Sequence, residues 1–304
     1  MKGYFTHKLQ QTQSYKEYRD IQALYYEHSL SKEQKQKLYL QNNTFVSSSG
    51  EKYNIDYDFE KKYKEYAKTT EQRIGTIEHL AKAKGYMSVF ITLTLPSSYH
   101  PFTSIKKGDG RLYTGINKEF TFSSIQESIS NGYRHLQHIY QTFYKRVKNF
   151  TKNELYYVKC VEHHTTMVRH IHIVLYFPPE HYENIYGTFK RVVEHFQLER
   201  VEFEQSCFRD DVSHTSRYLL KYITKNLQTG SDYFLARVLD GWKRFHKIRV
   251  LTSSELPLTV GIYKKVYRSI SNISKNKINS KIFDILILAK EKMDEIIKER
   301  GIPY

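Results

Sequence analysis

The residue types best suited to chemistry fall in three short stretches. In His170-Ile171-His172-Ile173-Val174-Leu175-Tyr176 two histidines stand two apart. On a β-strand that spacing sends both imidazoles to one face, while Ile171, Ile173 and Leu175 face the core. Two imidazoles side by side make part of a divalent-metal site. Glu162 closes the preceding stretch, and a hairpin between the two would bring its carboxylate near His170. Together they form a mixed nitrogen and oxygen donor set suited to Mg²⁺ or Mn²⁺. His163 and His164 are nearer in sequence, and read more simply as exposed turn residues.

The second stretch is Tyr218-Leu219-Leu220-Lys221-Tyr222-Ile223-Thr224-Lys225. On a helix, Tyr218, Lys221, Tyr222 and Lys225 fall at i, i+3, i+4 and i+7 and share one stripe. A free tyrosine has a pKa of about 10 and is a poor nucleophile at neutral pH. Neighbouring ammonium groups favour the phenolate, and a metal drawing charge from an attacked phosphate helps from the other side. An ordinary amphipathic helix in a chain with 27 Tyr would look similar. The third stretch, Phe90-Ile91-Thr92-Leu93-Thr94-Leu95-Pro96, alternates apolar residues with Thr and stops at Pro. It reads as a strand whose small hydroxyls could floor the histidine site.

The elements that would position these residues alternate in type. Residues 1–85 read as a polar, helical N-terminal extension. Ser31, with Gln34 three residues on, has the form of a helix start, and Gly85 stands where a helix from Asp56 to Lys84 would end. Beyond Tyr86 the pattern gives a strand to Leu95, a loop from Ser97 to Thr121, and a helix over Ser123–Phe150. Strands follow over Leu155–Glu162 and His170–Phe177, then a helix over Tyr182–Phe196 and a strand over Arg200–Cys207. Helices over Ser213–Lys225, Asp232–His246 and Ser280–Lys298 complete the chain. The fold class is α+β: a central, mostly antiparallel sheet flanked by helices, with helical N- and C-terminal extensions. The domain boundaries are 1–85, 86–270 and 271–304.

Composition narrows the partners. The 304 residues carry 48 Lys and Arg against 32 Asp and Glu, a net charge of +16. Such a balance points to a polyanion. Aromatics make up 15%, and aromatic faces stack on unpaired bases. Between Gly241 and Phe283 ten Lys or Arg face a single acid, Glu255, a stretch suited to phosphate contact with steep salt dependence. No run approaches the ~18 apolar residues of a spanning helix, and the first residues lack the apolar stretch of a signal peptide. Cys160 and Cys207 lie in strand-like stretches away from any CxxC pattern, as buried thiols of a reduced compartment would.

The Phe-Ile-Thr-Leu-Thr strand, the histidine–hydrophobic–histidine strand and the Tyr-x-x-x-Tyr helix with an interposed Lys, in that order, resemble the HUH endonucleases. They are most similar to the two-tyrosine rolling-circle replication initiators of bacteriophages. The motifs span Phe90 to Lys225, under half the chain, and Trp242 to Pro257 is similar more weakly. One departure is the turn before His170. Such proteins usually carry an Asp-Gly type sequence there, and this chain has His164-Thr165-Thr166-Met167-Val168-Arg169.

The resemblance implies that the sheet carries the HUH motif, within residues 86–270. It implies that His170, His172 and Glu162 bind one Mg²⁺ or Mn²⁺ beside a single-stranded origin. Tyr218 or Tyr222 would attack phosphorus, take the 5′ phosphate and release a 3′ hydroxyl, with Lys221 and Lys225 stabilising phenolate or phosphate. A phosphotyrosine bond conserves the phosphodiester's energy, which agrees with the lack of a GxxxxGK[ST] phosphate loop. The helicase and polymerase would then come from the host, and the protein would work in the bacterial cytoplasm, away from membranes. Rival readings are a two-tyrosine transposase of a mobile element and a non-catalytic DNA-binding protein.

Overall fold

The computed structural model describes residues 4–5, 7–47, 49–106, 112–152, 154–163, 167–206 and 233–255. In chain order the elements are β1 (Tyr4–Phe5), α1 (His7–Gln10), α2 (Gln13–Gln41), β2 (Phe45–Val46), β3 (Lys52–Tyr53), α3 (Phe59–Ala83) and β4 (Met87–Thr94). Next come β5 (Phe102–Lys106), β6 (Leu112–Ile116), α4 (Ile125–Phe150), β7 (Tyr156–His163) and β8 (Arg169–Phe177). Then follow α5 (Tyr182–His195), β9 (Val201–Ser206), a helix here called α6 (Tyr233–Phe245) and β10 (Leu251–Ser253).

The central sheet has five strands in the order β10-β7-β8-β4-β9, and every neighbouring pair is antiparallel. Both faces are covered. Helices α4 and α5 lie on one: Lys159 of β7 donates to Gln137 of α4 at 3.1 Å, and Phe203 of β9 meets Phe189 of α5 at 5.0 Å between ring centres. Helix α3 lies on the other, against β7 and β8. This explains why β8 is buried along nearly its whole length, where a sheet open on one side would show strict alternation. On α4, Leu136, Ile139, Phe143 and Val147 form the apolar stripe that the sequence periodicity predicts, and all four are buried. Each such side chain contributes about 1.5–3 kcal/mol when fully removed from water.

Helix α4 comes close to the end of β4. A Cβ on its Gly132 would stand 2.8 Å from Leu95 Cδ1 and 3.3 Å from Tyr99 Cδ1. Helices α2 and α6 pack closer still. A Cβ on Gly241 would fall 1.7 Å from the Tyr25 carbonyl oxygen, so only glycine lets the two backbones meet.

A buried polar knot ties α2, α3 and α6 together. Asp240 accepts from Ser29 of α2 at 2.7 Å and from the Tyr63 hydroxyl of α3. It pairs with Lys243 at 3.0 Å and Arg244 at 2.8 Å. Burial alone would raise the Asp240 pKa. The Lys243 ammonium, the Tyr63 hydrogen bond and the Arg244 guanidinium together hold it below the ordinary carboxylate value. Lys243 and Arg244 belong to the basic stretch from Gly241 to Phe283, and the knot corrects their reading as phosphate contacts: both charges are used inside the fold.

Two expectations change. Ser31 lies within α2, which begins at Gln13 after the N-cap Thr12, whose side chain accepts from the Tyr15 amide. No chain break precedes Ser31, and Glu33 there pairs with Lys37 at 2.9 Å. The helix is held through that region by its buried stripe of Tyr18, Ile21, Tyr25 and Ser29. The loop from Ser97 to Thr121 contains the β5–β6 hairpin, and β1 pairs in parallel with β6. Phe5, Tyr18 and Phe102 fasten that small sheet, with ring centres 5.6–5.8 Å apart. Helix α3 agrees with its sequence signals. Asp58 caps it, and Gly85 at φ +67° ends it. The expected helices over Ser213–Lys225 and Ser280–Lys298 lie outside the described residues.

Candidate functional site

Strands β7, β8 and β4 bring the predicted groups together. The antiparallel register sets Glu162 opposite His170 and Cys160 opposite His172. On the other side it sets Thr94 opposite His170 and Thr92 opposite His172. Opposed residues share a face, so one face of the sheet presents two imidazoles, two hydroxyls and a carboxylate. β9 adds another carboxylate, with Glu202 opposite Thr92. The two imidazole rings lie nearly parallel, 6.4 Å between centres. His172, Glu162, Thr92 and Thr94 are buried, and His170 is half-buried.

Each histidine is oriented by a threonine. Thr94 Oγ1 lies 3.0 Å from His170 Nδ1, and Thr92 Oγ1 lies 3.2 Å from His172 Nδ1. Thr92 has one hydroxyl hydrogen, and it donates to Glu202 Oε2 at 3.0 Å. It therefore accepts from His172 Nδ1–H, which turns Nε2, the nitrogen a metal takes, toward Glu162; the contact there is a hydrogen bond only while one of the two atoms carries a proton, the place a bound cation would fill. The Phe90 ring stacks against His172 at 5.7 Å and fixes its plane.

Nε2 of His172 lies 2.8 Å from Glu162 Oε2. Glu162 is thus beside the histidine pair, in hydrogen-bond contact with His172 and across the ladder from His170. Among the described residues no three His, Cys, Asp or Glu side chains are grouped closely enough to hold a metal ion. The donor set itself fits a divalent cation: two imidazole nitrogens with their Nδ1 atoms tied down, and a carboxylate at van der Waals reach.

The remaining expected residues fall elsewhere. Tyr218, Lys221, Tyr222 and Lys225 lie outside the described residues, as do His164 and Cys207. Cys160 is buried in β7. Two residues near the site are additions to the sequence reading. Glu202 belongs to the alternating Val201-Glu202-Phe203-Glu204, whose period of two puts both acids on one face. His100 follows β4 and sets its ring 6.2 Å from that of His170. Among the described residues no helix is long and apolar enough to cross a membrane.

Just before His170, Arg169 anchors the start of β8. It is buried, its guanidinium lies 4.6 Å from the ring centres of both Tyr133 and Trp242, and it donates to the Ile129 carbonyl at 2.8 Å. Burial lowers its pKa, and two aromatic faces favour the charge that burial opposes.

Residues 15–230 match the bacteriophage replication gene A protein family, and the chain belongs to that family. It is 29% identical over 164 residues to the replication gene A protein of Escherichia phage P2, which is 51% of this chain and 20% of that protein. It is 26% identical over 160 residues to the replication protein of Haemophilus phage HP1, 51% of this chain and 18% of that one. The chain thus matches about a fifth of the length of each relative. No solved structure matches it.

Proposed function

We propose that the protein initiates rolling-circle replication of phage DNA by nicking and rejoining a single strand at the origin. The observation that carries this reading is the histidine pair itself. His170 and His172 lie side by side with both Nδ1 atoms met by threonines, and Glu162 lies within hydrogen-bond reach. Membership of a phage replication family supports it and disfavours the transposase reading.

In this mechanism His170, His172 and Glu162 are the residues that would hold one Mg²⁺ or Mn²⁺. When bound, such an ion would neutralise charge on the scissile phosphate. Thr92 and Thr94 keep the imidazoles aimed, and Glu202 holds the Thr92 hydroxyl in its accepting orientation. Tyr218 or Tyr222 supplies the nucleophile. Its oxygen forms a bond to phosphorus as the bond from phosphorus to the 3′ oxygen breaks. The phenolic proton leaves the tyrosine and a proton ends on the 3′ oxygen, so the products are a 5′-phosphotyrosine and a 3′ hydroxyl. Lys221 and Lys225 stabilise the phenolate or the transition-state phosphate. A second tyrosine four residues along the chain allows the regenerated origin to be cut while the first still holds DNA. Host helicase and polymerase, in the cytoplasm of the infected bacterium, do the unwinding and extension.

The test is a covalent-adduct assay. The full chain is incubated with Mn²⁺ and single-stranded DNA from around its own gene, then run on a denaturing gel. The expected result is a shifted band that disappears with EDTA, with His170→Ala, and with Tyr218→Phe combined with Tyr222→Phe. Normal adduct from the double tyrosine variant would overturn the assignment, and cleavage without an adduct would point to a nuclease that uses water.

A further inference from the structure

A row of rings leads away from the site over the end of the sheet. His100 faces His170, and its neighbour Tyr99 lies 4.8 Å from Phe122 and 5.8 Å from His135, the latter stacked with the rings almost parallel. His135 meets Phe196 at 5.8 Å, and Phe196 meets His138 at 5.6 Å and His195 at 4.7 Å, all edge to face. Tyr99, Phe122, His135 and Phe196 are half-buried, and His138 and His195 are exposed. The row crosses α4, where Gly132 lets Tyr99 sit against the helix.

The same helix presents a basic stripe. Arg134, Gln141, Lys145 and Lys148 are exposed at i, i+7, i+11 and i+14, and α4 has no acid after Glu127. Burial and the neighbouring His138 lower the His135 pKa, so that ring offers a neutral face. The combination of π faces with an adjoining row of cations is what an unpaired nucleic-acid strand recognises. A duplex keeps its base faces stacked inside and has nothing to offer the rings.

We propose that this row is a binding track for single-stranded DNA, taking the bases that flank the scissile phosphate while the α4 stripe follows their backbone. The proposal deepens the nicking reading and rests on it for the position of the scissile phosphate.

The test reads binding by the full chain at pH 8, with a fluorescently labelled oligothymidylate and a duplex of equal length. In the His138→Ala/Phe196→Leu variant the single strand should bind roughly 5- to 100-fold more weakly, the effect of losing one stacked base. The slope of affinity against salt should stay as in the unaltered protein, since no phosphate contact is lost, and duplex binding should not change. Lys145→Ala should instead make the slope shallower by about one unit. Affinity within twofold of the unaltered protein, at an unchanged melting temperature, would overturn the track. A second readout needs no substitution. Photo-crosslinking with 5-iododeoxyuridine oligomers should map to residues 99–138 and 195–196, and crosslinks confined to other segments would overturn the proposal. If the adduct forms while the track variant binds normally, the track falls and the nicking stands. If the variant loses binding in a protein that forms no adduct, the track stands and the nicking falls.

Discussion

Among the described residues two polar clusters, one buried between helices and one on the central sheet, are built on opposite principles. The knot between α2, α3 and α6 has one carboxylate, Asp240, with an ammonium, a guanidinium and two hydroxyls around it. Its acid is neutralised by the fold's own cations. The cluster on the central sheet has two carboxylates, two imidazoles and two hydroxyls. Its groups present lone pairs, which a cation from outside can use. The first arrangement fastens helices. The second is suited to binding a ligand, and its rigidity comes from the strands beneath it.

Changing the knot's acid should have the largest effect on stability. Asp240→Asn leaves the half-buried Lys243 and Arg244 without their counter-charge, and, with solvent screening part of the loss, should cost about 1–3 kcal/mol in urea unfolding. Because the folded pKa of Asp240 is lowered, its contribution is present above the unfolded carboxylate range and fades as pH falls through the folded value. The variant should therefore lose part of the unaltered protein's acid sensitivity. A variant as stable as the original would show that the knot is incidental.

The sheet cluster should respond in ligand affinity instead. Thr92→Val removes the hydroxyl between His172 Nδ1 and Glu202 with little change of volume. It should weaken Mn²⁺ binding about 10- to 100-fold in a calorimetric titration, with a much smaller effect on unfolding than Asp240→Asn. Equal losses of stability from the two variants would remove the distinction between them.

Lys159 sharpens the contrast with a smaller effect of opposite sign. It lies on β7, on the face away from Glu162, with Gln137 at 3.1 Å and the Tyr140 ring centre at 4.2 Å. Burial pushes its pKa down to about 8. Between about pH 8 and the ordinary lysine value near 10.4, the unfolded chain binds more protons than the folded one, so stability should rise with pH. Lys159→Met removes a buried charge, and should raise stability by about 1–2 kcal/mol at pH 7 and flatten that rise.

How much of this was legible in the sequence follows from range of interaction. The strand alternation of Phe90 to Leu95 and the His-x-His spacing are local, and the structure keeps both. Glu162 was placed by the hairpin argument because β7 and β8 are consecutive. Glu202 was missed because β9 returns beside β4 only after a helix, and nothing local marks that neighbour. The β5–β6 hairpin had a signal in Asp109-Gly110 between two short alternating runs, obscured by the lysines around it. Ser31 misled because a capping pattern inside a continuing helix looks the same as one at its start. The Asp240 knot joins residues from three helices far apart in sequence, and a charge count alone assigned its cations to phosphate contact.

The place of β8 between β4 and β7 has a consequence for motion. Strands on both sides hold its backbone amides, while the edge strands β9 and β10 have one neighbour each in this sheet. In hydrogen–deuterium exchange the amides of residues 170–175 should be among the last to label, and those of β10 among the first of the sheet. The histidines would then keep their spacing through local openings that loosen the periphery, so that a strand of DNA could be admitted or released without disturbing the geometry that acts on it.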